Sequence, residues 1–182
     1  MINNFADTCF SNFFPCVIAY GGLEYPSVEA AYQACKTTDI SKRKEFTRMT
    51  AGKAKREGKK LSIRPDWKEI KDCVMFDLLI IKFSQPALLT QLIATGDEEL
   101  VEGNCWHDNY WGDCSCQNCA SIVGRNTLGK LLMRVREMSV GILEYISEIQ
   151  NHTYAEINLL LPSWRKTLPP LPPLDDQVSI VF

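Results

Sequence analysis

The chain has no uninterrupted apolar run long enough to span a bilayer, and no membrane association is expected. Its first residues, Met-Ile-Asn-Asn-Phe-Ala-Asp, lack a basic region followed by an apolar stretch. No secretory leader is therefore expected, and the default setting is intracellular, in cytoplasm or nucleus. Internal repeats are absent, which argues against a solenoid or an array. There is no second C-x-x-C pair, and net charge is small at −2. What remains is a 182-residue chain of ordinary globular composition, enough for one domain with a substantial core.

Eight cysteines are present, but a chain of this length in a reducing compartment is a poor candidate for a disulfide scaffold. Cys9, Cys16, Cys35 and Cys73 lie among apolar residues and read as small buried hydrophobes. Cys105, Cys114, Cys116 and Cys119 cluster with His107 nearby. The run Cys114-Ser-Cys116-Gln-Asn-Cys119 contains a C-x-x-C and raises zinc, yet a structural site usually draws on two separated ligand pairs. The expectation is reduced free thiols, with no metal and no cofactor.

The small net charge hides an asymmetry. Residues 42 to 64 hold ten Lys and Arg against Glu45 and Glu57, half of all the basic residues in the chain. Such a stretch is either a solvated helix surface or an attractor of phosphate and nucleic acid.

Val17-Ile-Ala-Tyr20 and Leu23-Glu-Tyr25 flank Gly21-Gly22 and predict a β-hairpin. Ser27 is placed to cap a helix that follows, and residues 42 to 60 predict one or two polar helices. A helix from Trp67 to about Phe83 is expected to open on Asp66 as cap and to be largely buried. A shorter helix starts at Pro86 and ends near Ala94. Leu100-Val-Glu102 reads as a short strand, residues 103 to 123 as a loop, and residues 126 to about 149 as a long helix with Asn126 as N-cap. Five of nine prolines fall between Pro162 and Pro173, so residues 161–182 are expected to form an extended Pro-rich tail behind a domain of residues 1–160.

Four features carry candidate chemistry. In the helix after Ser27, Glu29, Gln33 and Lys36 fall in one line at i, i+4 and i+7, with Tyr32 beside them. That line is either a solvated face or the wall of a polar ligand site. Lys82 shares a stripe with Met75, Leu78 and Leu79, and Arg136 a face with Leu132 and Met133. A cation there either snorkels to the surface or meets a carboxylate or an anionic ligand. Gly124-Arg125-Asn126 opens the last helix, where free amides and a glycine can hold a phosphate. The loop with Asp108 and Trp111 combines acids with flat rings, which either plug the core or stack on a base.

In order along residues 5 to 145, these segments resemble the NADAR family, the YbiA-like proteins tied to NAD and ADP-ribose metabolism. The matching pieces are Phe10-Ser-Asn12-Phe13, Ser27-Val-Glu29-Ala-Ala-Tyr-Gln33-Ala-Cys-Lys36, Arg64-Pro-Asp-Trp67, Met75, Lys82-Phe83 and Thr95-Gly96. Leu100-Val-Glu102, Trp111-Gly112-Asp113-Cys114 and the run from Gly124 through Asn126 to Arg136 complete the set. The resemblance implies a compact, mostly helical α+β domain with a small β-element that cleaves N-glycosidic bonds. It implies ADP-ribose on guanine in nucleic acid, or phosphoribosylated intermediates of riboflavin synthesis, as partner, and a monomer is expected. A non-enzymatic reader of ADP-ribose is the alternative. Glu29, Lys36 and Glu102 are the implied catalytic residues, with Lys36, and Lys82 second, as candidates for a Schiff base. Trp67 and Trp111 would wall in the base. Asn12, Phe13, Gln33, Arg64, Asp108, Gly124, Asn126 and Arg136 would complete the ligand site.

Overall fold

The structure, a computed structural model, describes residues 1–3, 5–119 and 121–139. It opens with β1 (Ile2–Asn3). β2 (Ile18–Tyr20) and β3 (Leu23–Tyr25) then form an antiparallel hairpin with Tyr20 opposite Leu23. Gly21 and Gly22 both take positive φ, 61° and 73°, as a two-residue turn between twisted strands requires. α1 (Val28–Ala34) follows at once, its first turn closed by a hydrogen bond from the Ala30 amide to Ser27 Oγ at 3.1 Å.

The basic stretch resolves into two helices, α2 (Ile40–Phe46) and α3 (Ala51–Gly58). Eight of its ten cations are exposed, while Arg43 and Arg64 turn inward and are buried. Arg43 Nε donates to the Thr37 carbonyl at 2.6 Å. α4 (Trp67–Phe83) is the core helix, with every residue from Cys73 to Phe83 buried. Asp66 holds the N-cap position as expected, but its side chain makes no capping hydrogen bond. Its carboxylate accepts instead from Arg64 Nε at 2.6 Å and from the guanidinium NH2 at 2.7 Å, a bidentate pair that outcompetes the amides.

α5 (Pro86–Ile93) meets α4 at 106°. Among the described residues, no single helix is long and apolar enough to cross a membrane. β4 (Leu100–Val101) pairs parallel with β1, Ile2 opposite Leu100. β5 (Gly103–Asn104) pairs parallel with β6 (Asp113–Cys114), and a 3-10 turn covers Gln117–Cys119. α6 (Thr127–Glu137) closes the described chain. It is shorter than its apolar stripe predicts, ending with Met138 as C-cap. The remainder of that stripe and the Pro-rich tail lie outside the described residues.

Phe5, Phe10, Ile18, Leu78, Leu79, Phe83, Leu100 and Leu132 share one core. A Cβ at Gly129 of α6 would run into the Leu100 carbonyl, so this glycine sets how closely α6 approaches β4. The result is a helical α+β domain with three two-stranded β-elements among the described residues.

Candidate active site

α1 supplies one wall. Gln33 Nε2 donates to Glu29 Oε1 at 2.8 Å, and both side chains are buried. The face that spacing alone leaves as solvated or functional is thus turned inward. Burial raises the Glu29 carboxyl above its ordinary range, Asp108 adds to this, and the Gln33 hydrogen bond, Lys55 and Lys36 oppose it. Lys36, half-buried one turn on, has its pKa lowered by burial and by the nearby cations Lys55 and Lys59, with Glu29 opposing.

α3 lies against this wall. A Cβ at Gly58 would overlap Gln33 Oε1, so only glycine leaves space for the amide there. One turn earlier, Lys55 projects to the same place. Its ammonium sits 5.5 Å from the Phe13 ring and 5.9 Å from the Trp106 ring. The charge of Lys55 acts on Glu29, Lys36 and Glu102 alike.

The segment after β4 brings a second acid into the fields of the same neighbours, Lys55 and Asp108. Burial, reinforced by Asp108 and opposed by Lys55, pushes the Glu102 carboxyl up to about 7. Its Oε2 is buried with no hydrogen-bond partner among the described residues, as are Gln33 Oε1 and Asn12 Oδ1. Buried polar atoms are usually paired, so the bare Glu102 Oε2 is a candidate contact for a polar guest. Asp108 Oδ1 accepts the amides of Tyr110 and Trp111 at 3.1 and 2.8 Å. Asn104 grips the same loop, its side chain taking the Asp108 amide and donating to the Asp108 carbonyl at 2.7 Å. The Asn12 carbonyl accepts the Glu29 amide at 2.9 Å, which fixes the Asn12–Phe13 segment beside the acids.

The aromatic residues divide by exposure. Trp67 is buried and packs on Tyr32 at 5.0 Å between ring centroids, and Trp111 meets Tyr32 edge-on at 5.6 Å. They form the floor. The exposed rings are Phe13, at 40%, and Trp106, at 55%, with Lys55 between them. Lys55 thus joins the candidate site, where sequence reasoning did not place it, and Trp106 is the exposed ring of the loop whose aromatics the sequence already offered to a base. Small residues at Ala51, Ala54 and Gly58 mark the close-packed face of α3, and Lys55 next to that face was the available signal.

Several expected ligand residues lie elsewhere. Lys82 is fully buried, with Nζ donating to the Ser11 carbonyl at 2.6 Å and the rings of Phe14 and Phe83 about it. Burial lowers its pKa to about 8, with Cys16 and Cys9 opposing. It meets neither a carboxylate nor the acid cluster, and its contact anchors the segment that carries Asn12. Arg136 donates to Thr95 Oγ1 at 2.6 Å and to the Glu98 carbonyl at 3.0 Å, tying α6 to the turn before β4. Arg64 receives no ligand-facing geometry, because its guanidinium is paired with Asp66, although its amide bonds the Lys36 carbonyl at 2.8 Å.

The phosphate cradle expected at Gly124–Asn126 is already filled. The Gly124 amide donates to Asp113 Oδ1, and the amides of Arg125, Asn126, Thr127 and Leu128 donate to the carbonyls of Asn109, Gly112, Tyr110 and Trp111. Nor does the Asn126 side chain cap α6. Held at φ 51°, Asn126 accepts the Glu102 amide at 3.0 Å and donates to the Leu100 carbonyl at 2.8 Å. It is a positioning residue for Glu102.

Residues 3–138 match the NADAR domain family. The chain is 39% identical to a riboflavin biosynthesis protein of Vibrio vulnificus over 70% of its own length, but it spans only 34% of that protein. It is 38% identical to the N-glycosidase YbiA of Escherichia coli, covering 70% of this chain and 79% of that one. The NMR structure of Escherichia coli YbiA superposes with a TM-score of 0.66, over 84% of this chain and 89% of that chain.

Proposed function

The chain belongs to the NADAR domain family, and from that premise we propose that it is an N-glycosidase acting on the bond between ribose C1 and a base nitrogen. The observation that carries this reading is a group of side chains gathered around common neighbours: Glu29 and Glu102 both lie in the fields of Asp108 and Lys55, and Lys36 in those of Glu29 and Lys55. Breaking a C1–N bond leaves positive charge on the sugar and negative charge on the departing base. One carboxylate steadies the first, and a carboxyl that holds its proton near neutral pH can neutralise the second.

In the covalent form of the reaction, Lys36 Nζ attacks C1 while the C1–N bond breaks. The base leaves with its electron pair and takes a proton from Glu102. Glu29 takes a proton from Nζ and delivers it to the ring oxygen O4′ as the C1–O4′ bond breaks, which gives the Schiff base; water then adds to C1, the C1–Nζ bond breaks, and the ribosyl product leaves with the amine regenerated. In the direct form, water attacks C1, Glu29 takes its proton, and Lys36 only holds substrate hydroxyls or phosphate.

The preferred substrate is ADP-ribose attached to guanine in nucleic acid. Lys55 and Lys59, two of the eight exposed cations between residues 42 and 60, lie close enough to act on Lys36, and Phe13 and Trp106 offer exposed rings to a base. A phosphoribosylated small molecule is the second reading, favoured by the relative named for riboflavin biosynthesis. Turnover of both substrate types, side by side, decides between them. Binding of ADP-ribosylated DNA without release of ADP-ribose would instead mark a reader.

Lys36→Ala is expected to lose at least about 100-fold in turnover while remaining folded, and Glu29→Gln a comparable amount. Borohydride added during turnover should trap a protein–sugar adduct in the wild type and none in Lys36→Arg. An active Lys36→Arg with no trapped adduct would establish direct water attack.

A further inference from the structure

The loop between β5 and α6 brings four metal-binding side chains to one point. The ligand atoms of His107, Cys114, Cys116 and Cys119 all lie within 4.8 Å of one another. His107 Nδ1 is 3.1 Å from Cys116 Sγ and 3.5 Å from Cys119 Sγ. A tetrahedral ion with Zn–S of about 2.3 Å and Zn–N of about 2.05 Å sets S···N edges of about 3.6 Å and S···S edges of about 3.8 Å. The observed cluster therefore needs only small adjustments to enclose such an ion.

We propose that His107, Cys114, Cys116 and Cys119 form a structural zinc site that staples the loop carrying Asp108 and Trp111. The absence of a second C-x-x-C pair argued against metal in the sequence. The fold removes that objection, because the β5–β6 pairing sets Cys114 opposite Asn104 and so brings His107 back over the C-x-x-C. His107 takes φ 67°, an uncommon conformation for a residue with a Cβ, held by the surrounding loop. Its amide points to Cys114 Sγ at 3.3 Å, the hydrogen bond that a metal-bound thiolate accepts. Three sulfurs and one imidazole suit zinc and not magnesium or calcium. Four protein ligands leave no open position, so the role is structural. Cys105, exposed and outside the cluster, provides an internal control.

The proposal is independent of substrate and is tested on the full chain purified from zinc-containing medium. Elemental analysis should find about one zinc per chain in the wild type and in Cys105→Ser, and less than about a tenth of that in Cys116→Ser/Cys119→Ser. Because the double variant can fail to fold, two measurements use the wild type alone. Titration with a mercurial thiol reagent should release zinc in step with loss of the cluster thiols. Cobalt exchange should give the intense sulfur-to-cobalt absorption of a tetrahedral thiolate site. Folded wild type without zinc, a Cys116–Cys119 disulfide in that protein, iron in place of zinc, or zinc retained by the folded double variant would each overturn the assignment.

Discussion

At the residue scale, the division of roles proposed for two carboxyls rests on how their surroundings differ. Glu29 is tied to Gln33 and lies within the field of Lys36 and Lys55. Glu102 has an oxygen without a partner among the described residues, and burial pushes its carboxyl up to about 7. A group that must donate a proton works below its pKa, so turnover should fall as pH rises through about 7. In Glu102→Gln that limb should vanish and the remaining rate should be flat across the same interval. A limb that survives the substitution would move the acid role to another group.

The residue scale also shows what sequence could deliver. Glu29, Gln33 and Lys36 were recognisable as one line, since helical spacing fixes which side chains share a face. Whether that face meets water or protein is decided by α3 lying against it, which spacing cannot reveal. Lys55 was concealed for the opposite reason. Ten cations between residues 42 and 64 look alike in sequence, and only packing shows that Arg43 and Arg64 are buried and that Lys55, though exposed, lies beside the acids.

At the scale of elements, α1 and α3 pack without room to spare. Gly58→Ala should push Gln33 off Glu29 and cost about 1–3 kcal/mol, the usual price of overfilling a packed contact. A denaturation midpoint lowered by that amount, together with weakened activity, checks this. Wild-type stability in Gly58→Ala would mean that α3 can draw back freely. The hairpin, the Ser27 cap and the span of α4 were legible because turn glycines, a capping hydroxyl and a long apolar run leave residue-type traces. The amides at the start of α6 left no such trace. Their partners are the carbonyls of residues 109–112 and the Asp113 carboxylate, and a carbonyl is the same whatever residue carries it. The expected phosphate cradle failed on that ambiguity.

At the scale of the whole molecule, charge is distributed unevenly over a chain whose net charge is only −2. If nucleic acid is the natural carrier of the substrate, its binding should weaken steeply with salt, whereas a phosphoribosyl small molecule should respond little. Substituting Lys53, Arg56 and Lys59 together by Gln should reduce the salt slope for a DNA-linked substrate by roughly one unit per cation that contacts phosphate. An unchanged slope would show that the face bearing α3 does not touch the nucleic acid.

The parallel pairing of Ile2 with Leu100 has a consequence for how the protein comes into being. The two strands are far apart in sequence, and Glu29 must likewise wait for Glu102, which in turn waits for Asn126 to hold its amide. A chain emerging from the ribosome can make the hairpin and the first helices early, from contacts close in sequence. It cannot assemble the acids until the start of α6 has been synthesised. Catalytic competence is thus acquired late and in one step, when the closing helix docks, and a nascent chain stalled before residue 126 should carry all the residues of the first wall and no activity.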